Sequence, residues 1–279
     1  GSEMCIRDSF LIAMDKITAL RTLILMMPLL LLIGCQKDTP NTPVIDQQYS
    51  SNASNERIVF LILHYTAQDS ANSLKTLTQG TVSSHYLVND DGHIYQLVAD
   101  DKAAWHAGVS SFHGRSNLND TSLGIELVNL GIAKEYLAHT GYHPYHHYMA
   151  YDEAQIAKTA ALIQLLKDKY NIRPSYILSH SDVAPQRKLD VGAKFPWERL
   201  YRDYGLGAWY NEADKNAFIA AGFGDTNVQD IKDAFRQYGY AMNDTPIWDK
   251  ESQNVIYAFQ LHFNPKNATG LMDLSLIHI

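Results

Sequence analysis

Hydrophobic positions along the chain fall into two kinds of run. Ile58 to Leu63 is uniformly apolar, which reads as a central strand covered on both faces rather than a half-exposed one. Leu123 to Asn129 and Tyr176 to His180 are further apolar strands, the first with a charge, Glu126, set inside it. His85 to Asn89 and His93 to Val98 flank Asp90-Asp91-Gly92, an Asp/Gly turn signal that predicts a β-hairpin. The clearest helical spacing runs from Asp152 to Tyr170, with Ala154, Ile156, Ala157, Ala160, Ala161, Ile163, Leu165 and Leu166 in its apolar stripe. Asp152 is its expected N-cap, with Gln155 three residues on, and the helix is expected to pack on the sheet. Shorter helices are expected over Ser73 to Gln79 and Phe195 to Tyr204. A composition shift at Asn211 opens three more, Glu212 to Ala221, Val228 to Tyr238 and Asp249 to Phe263.

The ends of the chain follow other rules. Gly1 to Ala13 and Leu274 to Ile279 fit no element and read as translated sequencing adapter, outside fold reasoning. From Met14, two basic residues (Lys16, Arg21) precede an uncharged run, Thr22 to Ile33, too short for a spanning helix and suited to a secretory signal. Its ending, Leu32-Ile33-Gly34-Cys35, resembles a bacterial lipobox. That resemblance implies residues 14–35 as a lipoprotein signal, Cys35 as the lipidated residue and a membrane anchor, with Gln36 pointing to the cell envelope at the inner, periplasmic face of the outer membrane. A cleaved signal with an incidental cysteine is the alternative. Gln36 to Glu56, rich in Pro, Ser, Asn, Thr and Gln, has the composition of a tether.

Composition narrows the function. At 279 residues with 46% hydrophobic and 19% charged residues, the chain can bury one sizeable core and a small one. A formal charge of -7 argues against a nucleic-acid partner. Cys5 and Cys35, the two cysteines, both precede the folded part and give no disulfide framework.

Chemistry concentrates in Ser179 to Gly192. This stretch sets His180, Lys188 and Asp190 in a loop just after a strand, with Pro185 barring a helix and favouring a turn. In an extended segment Lys188 and Asp190 would share a face. His64 ends the other apolar strand. Two histidines and one aspartate at strand ends make a three-ligand set that leaves a fourth tetrahedral position open, as a catalytic zinc needs.

The runs His64-Tyr65-Thr66, Trp105-His106-Ala107-Gly108, Gly124-Ile125-Glu126-Leu127-Val128-Asn129 and His180-Ser181-Asp182-Val183-Ala184-Pro185, with Lys188-Leu189-Asp190 beyond, resemble the zinc-dependent N-acetylmuramoyl-L-alanine amidases of type 2, relatives of the peptidoglycan recognition proteins. The resemblance spans Arg57 to Tyr204. It implies an α/β fold, a central mixed β-sheet flanked by helices with a zinc groove at the strand ends, over residues 57–207. It implies one Zn2+ on His64, His180 and Asp190, and hydrolysis of the amide between N-acetylmuramic acid and L-alanine in peptidoglycan or muropeptides. Residues 208–273 resemble a small three-helix peptidoglycan-binding module, with Phe259-Gln260 through Gly270 and Asp273 fitting its pattern and its last helix expected to be missing.

Each candidate also has a plainer explanation. Glu126 is the expected acid-base group, since an unpaired carboxylate amid apolar residues is costly unless it faces the cleft; the alternative is a buried ion pair with Lys188. Lys188 is expected to stabilise the oxyanion, or else is an exposed loop lysine. Tyr65, His85, Trp105 and His106 are candidate substrate contacts; His85 and His106 could equally be packing and Trp105 core. The loop 103–119 suits one wall of a groove, and the histidine-rich loop 131–149 reads as lining a sugar or peptide groove rather than binding metal. A non-catalytic peptidoglycan receptor and a zinc peptidase acting on the stem peptide are the rival functions.

Overall fold

The computed structural model describes residues 45–54, 56–221 and 227–272. Two compact units divide the chain, Gly1–Ser54 and Asn55–Ile279. In the first, the described residues 45–54 are all exposed and form no helix or strand, while Cys35 and the signal-like run lie outside the described residues.

In the second unit, strands β1 (Phe60–Tyr65), β2 (Tyr86–Val88), β3 (Ile94–Gln96), β6 (Ser122–Leu127) and β7 (Ile177–Ser179) form one sheet in the order β3-β2-β6-β1-β7. The pairs β2/β6, β6/β1 and β1/β7 are parallel, and β2/β3 is the antiparallel hairpin expected around Gly92. A two-stranded hairpin, β4 (Ser111–Phe112) with β5 (Arg115–Ser116), lies in the 103–119 loop. The sheet is mixed and flanked by helices, as expected.

Alternation along β1 sends its side chains into two cores. Leu61 and Leu63 join Leu123, Ile125 and Ile177 beneath the long helix α2 (Glu153–Tyr170), which contributes Ile156, Ile163 and Leu166. Phe60 and Ile62 face the other way, onto a core built with Leu178, Val183, Phe112, Phe235, Tyr240, Val255 and Ile256. That second cover comes from α6 (Val228–Tyr238) and α7 (Lys250–Phe263), so the helices after position 207 close the sheet's far face within the same compact unit.

Several local details differ from the sequence reading. Helix α1 (Ser70–Gln79) starts a few residues early because Asp69 caps it, accepting from the Asn72 N–H at 2.9 Å. Asp152 sits at the N-cap of α2 without a side-chain bond. Gln155, expected to complete a capping box, is buried and instead donates to the carbonyls of Val88 at 3.1 Å and Val128 at 2.9 Å, stitching the helix to the ends of two strands. Among the described residues the remaining α-helices are α3 (His180–Val183), α4 (Trp197–Tyr204) and α5 (Glu212–Ala221). The loop after the Ser179 strand end was expected to lack a helix. It makes a single turn, α3, that ends before Pro185, because Ser179 and Asp182 cap each other's backbone.

One buried carboxylate ties three elements together. Asp100 accepts from Tyr86 Oη at 2.6 Å, Gln96 Nε2 at 3.0 Å, Tyr170 Oη at 2.7 Å and Lys169 Nζ at 2.8 Å. Burial alone would raise its pKa, but these donors outweigh it and hold the carboxyl below its ordinary value. The stability it provides is therefore complete above the unfolded-state pKa of about 4 and drains away as pH falls through the lower folded value. Asp100→Asn is expected to cost about 1–3 kcal/mol at pH 7 and clearly less near pH 3. Urea denaturation at both pH values checks this; an equal loss at both would show that the charge contributes nothing.

Candidate metal-dependent active site

The site lies where the strand register delivers it. His64 stands directly across from Glu126 on the neighbouring parallel strand, and Leu63 pairs with Ser179, so His180 emerges beside His64 one residue later. All three sit at the carboxyl ends of adjacent strands, where open α/β sheets place their binding crevices. Asp190 returns to the same point because the Ser181 N–H donates to its backbone carbonyl at 2.7 Å.

His64, His180 and Asp190 are buried, and one ligand atom from each lies within 4.8 Å of the others. His64 Nδ1 is 2.8 Å from His180 Nδ1, and Asp190 Oδ2 is 3.2 Å and 2.9 Å from them. The protonation of each ring follows from what its other nitrogen touches. His180 Nε2 faces the Ala107 carbonyl at 3.1 Å, to which it can donate, and lies 3.4 Å from an Arg187 guanidinium nitrogen that donates to the same carbonyl. Ser122 Oγ–H donates to the Leu118 carbonyl at 2.6 Å, which leaves the same oxygen to accept from His106 Nε2 at 3.2 Å. His106 Nδ1 then accepts from His64 Nε2 at 3.0 Å. The chain of donors runs one way, so each ligand histidine presents its Nδ1 lone pair.

Three lone-pair atoms therefore meet with no proton assigned between them, an arrangement that a cation at their centre resolves. Burial, with the neighbouring His180 adding to it, lowers His64 to about 4 against the pull of Asp190, so its imidazole is neutral. Burial works against ionising Asp190, but positive charge and donated protons on the side of His180 and His64, the part a bound cation would take over, hold it well below the usual carboxylate range. Two neutral imidazoles and one carboxylate suit a borderline-soft divalent ion such as zinc.

Residues around this group line one cleft: Tyr65, Trp105, His106, Glu126 and Lys188, with Thr66 to Gln68 and the α1 face of Ser73, Thr76 and Leu77 as the wall that sequence reasoning missed. Glu126 is half-buried, and its Oε2 is buried without a hydrogen-bond partner. Burial, helped by the charge of Asp190 and opposed by Lys188, pushes its carboxyl up to about 8. Among the described residues no ion pair joins it to Lys188. Trp105 is 66% exposed at the rim and so is not a core residue.

Other candidates are placed elsewhere. His85 is fully buried and does not line the cleft: its Nδ1 accepts from the Gly124 N–H and its Nε2 donates to the Lys102 carbonyl, both at 3.0 Å. Of the 103–119 loop, Trp105 and His106 reach the cleft, while Phe112 is buried beneath the C-terminal helices. The histidine-rich loop does not line it either. Tyr142 stacks on Tyr257 and Tyr148 Oη meets Tyr257 Oη at 2.8 Å, so the loop buttresses α7, and its histidines form no three-ligand group among the described residues.

Residues 54–193 match the family of N-acetylmuramoyl-L-alanine amidases. The chain belongs to that family. It is 39% identical over 241 residues to the N-acetylmuramoyl-L-alanine amidase AmiD of Escherichia coli, covering 82% of this chain and 83% of that one. AmpDh3 of Pseudomonas aeruginosa in complex with anhydromuramic pentapeptide superposes with a TM-score of 0.77 at 36% identity, over 85% of this chain and 96% of that one. The E. coli AmiD complex with anhydro-N-acetylmuramic acid-L-Ala-D-gamma-Glu-L-Lys gives 0.74 at 37% identity, over 84% and 91%. Both the mixed-sheet fold and the His64, His180 and Asp190 group thus sit within an amidase family.

Gly124 has a steric role in this amidase site. A Cβ there would come within 2.5 Å of the His106 ring, so glycine in mid-strand is what lets His106 back His64. Gly124→Ala is expected to weaken divalent-cation binding about 10–100-fold, as loss of a ligand's backing partner does. Competition with a chromophoric chelator reads it, and unchanged affinity would remove His106 from the support of the site.

Proposed function

We propose that this protein is a zinc amidase that cleaves the bond between N-acetylmuramic acid and L-alanine in peptidoglycan fragments. The observation that carries the reading is the meeting of three ligand atoms beside a glutamate whose Oε2 is buried without a hydrogen-bond partner, in one open cleft. His64, His180 and Asp190 would hold the ion, which when bound supplies Lewis acidity for a carbonyl and acidifies water.

The chain's own residues supply the rest. Glu126 is placed to take a proton from the attacking water and return it to the leaving amine of L-alanine; its low-dielectric setting raises its basicity toward the working pH. Lys188, half-buried on the same cleft, offers a positive charge where the carbonyl oxygen becomes an oxyanion. Trp105 offers an exposed apolar face at the rim for a sugar ring, and Tyr65 lines the floor. The bound fragments in the two related structures, an anhydromuramic pentapeptide and an anhydromuramyl tripeptide, support muropeptides as the substrate class. The lipobox-like Leu32 to Cys35 supports a lipid anchor on Cys35 and action within the cell envelope at the outer membrane.

His64→Ala and Asp190→Ala are expected to lose bound zinc and turnover together. Glu126→Ala is expected to keep stoichiometric zinc and lose at least about 100-fold in kcat, the usual contribution of a positioned acid-base group. Mass spectrometry of digested muropeptides reads the bond cut. Free stem peptide beginning at L-alanine supports the amidase; shortened stems would mean a peptidase, and binding without cleavage a receptor.

A further inference from the structure

The turn that carries His180 is held from outside the sheet. Asp182, two residues on, is 1% exposed, and every hydrogen bond it accepts is accounted for. Its Oδ2 accepts from the Ser179 N–H at 2.8 Å and from His262 Nδ1 at 2.9 Å, and its Oδ1 accepts from Tyr240 Oη at 2.6 Å. The Asp182 N–H in turn donates to Ser179 Oγ at 3.0 Å, completing a capping box around a helix only one turn long. A helix that short has little stability of its own, so its orientation depends on what grips it.

Two of these three partners belong to the C-terminal segment. His262 lies on α7, is 1% exposed, and is sandwiched by ring contacts: Trp197 stacks on it at 3.9 Å and 17°, and Phe263 at 4.2 Å and 9°. Tyr240, 2% exposed, follows α6 and packs among Phe112, Phe235 and Phe259. Both donors are thus fixed before they meet the carboxylate. Neither lines the cleft, and Asp182 itself touches no ligand atom.

We propose that His262 and Tyr240 are positioning residues for the metal-binding turn, fixing Asp182 and through it the direction in which His180 presents Nδ1. The C-terminal helices then complete the catalytic site, whatever else their surface binds. This rests on reading His180 as a metal ligand. The link is two residues long: clamping both Asp182 oxygens fixes the α3 backbone, and the Ala107 carbonyl fixes the His180 ring at its far nitrogen. Loosening the clamp leaves all three ligands present but lets one of them swing.

The test compares His262→Leu, which deletes the donor and keeps an apolar side chain, with His262→Asn, whose amide N–H can occupy the place of Nδ1. Zinc affinity of the apo full-length chain is measured by chelator competition, alongside kcat and KM on a muropeptide. In His262→Leu the zinc dissociation constant is expected to rise about 10–100-fold, the range seen when a ligand's outer support is lost. KM should stay within about twofold, because the cleft lining is intact, and His262→Asn should recover most of the zinc affinity. Tyr240→Phe removes one oxygen, decides the matter should His262→Leu fail to fold, and is expected to weaken zinc several-fold. Wild-type zinc affinity in folded His262→Leu, or in Tyr240→Phe if the former does not fold, would overturn the proposal. A wild-type chain that binds zinc but cuts no muropeptide would refute the amidase reading and leave this comparison standing.

Discussion

Three lone pairs aimed at one point are the constraint on which the site depends. His64 Nδ1, His180 Nδ1 and Asp190 Oδ2 lie 2.8–3.2 Å apart, close enough that their mutual repulsion would open the site unless a positive charge joined them. The fold does not leave that geometry to the ion. Each histidine has its other nitrogen committed before any cation arrives, His180 to a carbonyl and His64 to a relay through His106 and Ser122 that ends on the Leu118 carbonyl. Such outer partners set tautomer and ring direction, which is how a mid-strand glycine and a buried serine would bear on a metal ion they never touch.

Sheet topology supplies the rest of the positioning. Parallel pairing of β6, β1 and β7 brings Glu126, His64 and His180 out at one end without any long side-chain reach. Placing the glutamate beside the ligands has an electrostatic consequence. Burial and the charge of Asp190 push Glu126 up to about 8, whereas a cation held at the three ligands and the nearby Lys188 both pull it down. In the proposed reaction the same carboxylate would then sit in a range where taking and giving a proton near neutrality are both accessible, as a single acid-base group needs.

Much of this was legible in the sequence, because strands and ligands there announce themselves by type and order. The uniformly apolar Ile58 to Leu63, the Asp/Gly turn at Gly92 and the stripe from Asp152 to Tyr170 each became the expected element within a few residues. What the sequence hid were the roles of residues whose partners are remote. His85 and His106 look alike as buried histidines, and only the sheet decides that one holds the Gly124 N–H while the other backs His64. Asp182 carried a faint local signal, a Ser179-x-x-Asp182 capping pattern, but nothing local pointed to Tyr240 or to His262 eighty residues away. The histidine-rich loop misled because its aromatic composition suits a sugar groove as well as it suits packing on Tyr257.

That same non-locality bears on the C-terminal helices. Phe60, Ile62, Leu178 and Val183 are at most 1% exposed because α6 and α7 help cover them. At roughly 1.5–3 kcal/mol for each large apolar side chain taken from water, uncovering that face would cost on the order of the whole stability of an ordinary domain. A binding module strung behind a finished catalytic domain would not be needed in this way. Val255, Ile256 and Ala258 are spent on the sheet and so are not available to grip wall polymer. The same segment also supplies His262 and Tyr240, whose hydrogen bonds reach Asp182 in the turn that carries His180. On the proposed reading of His180, the sheet's second cover and the fixed base of a metal ligand come from the same segment.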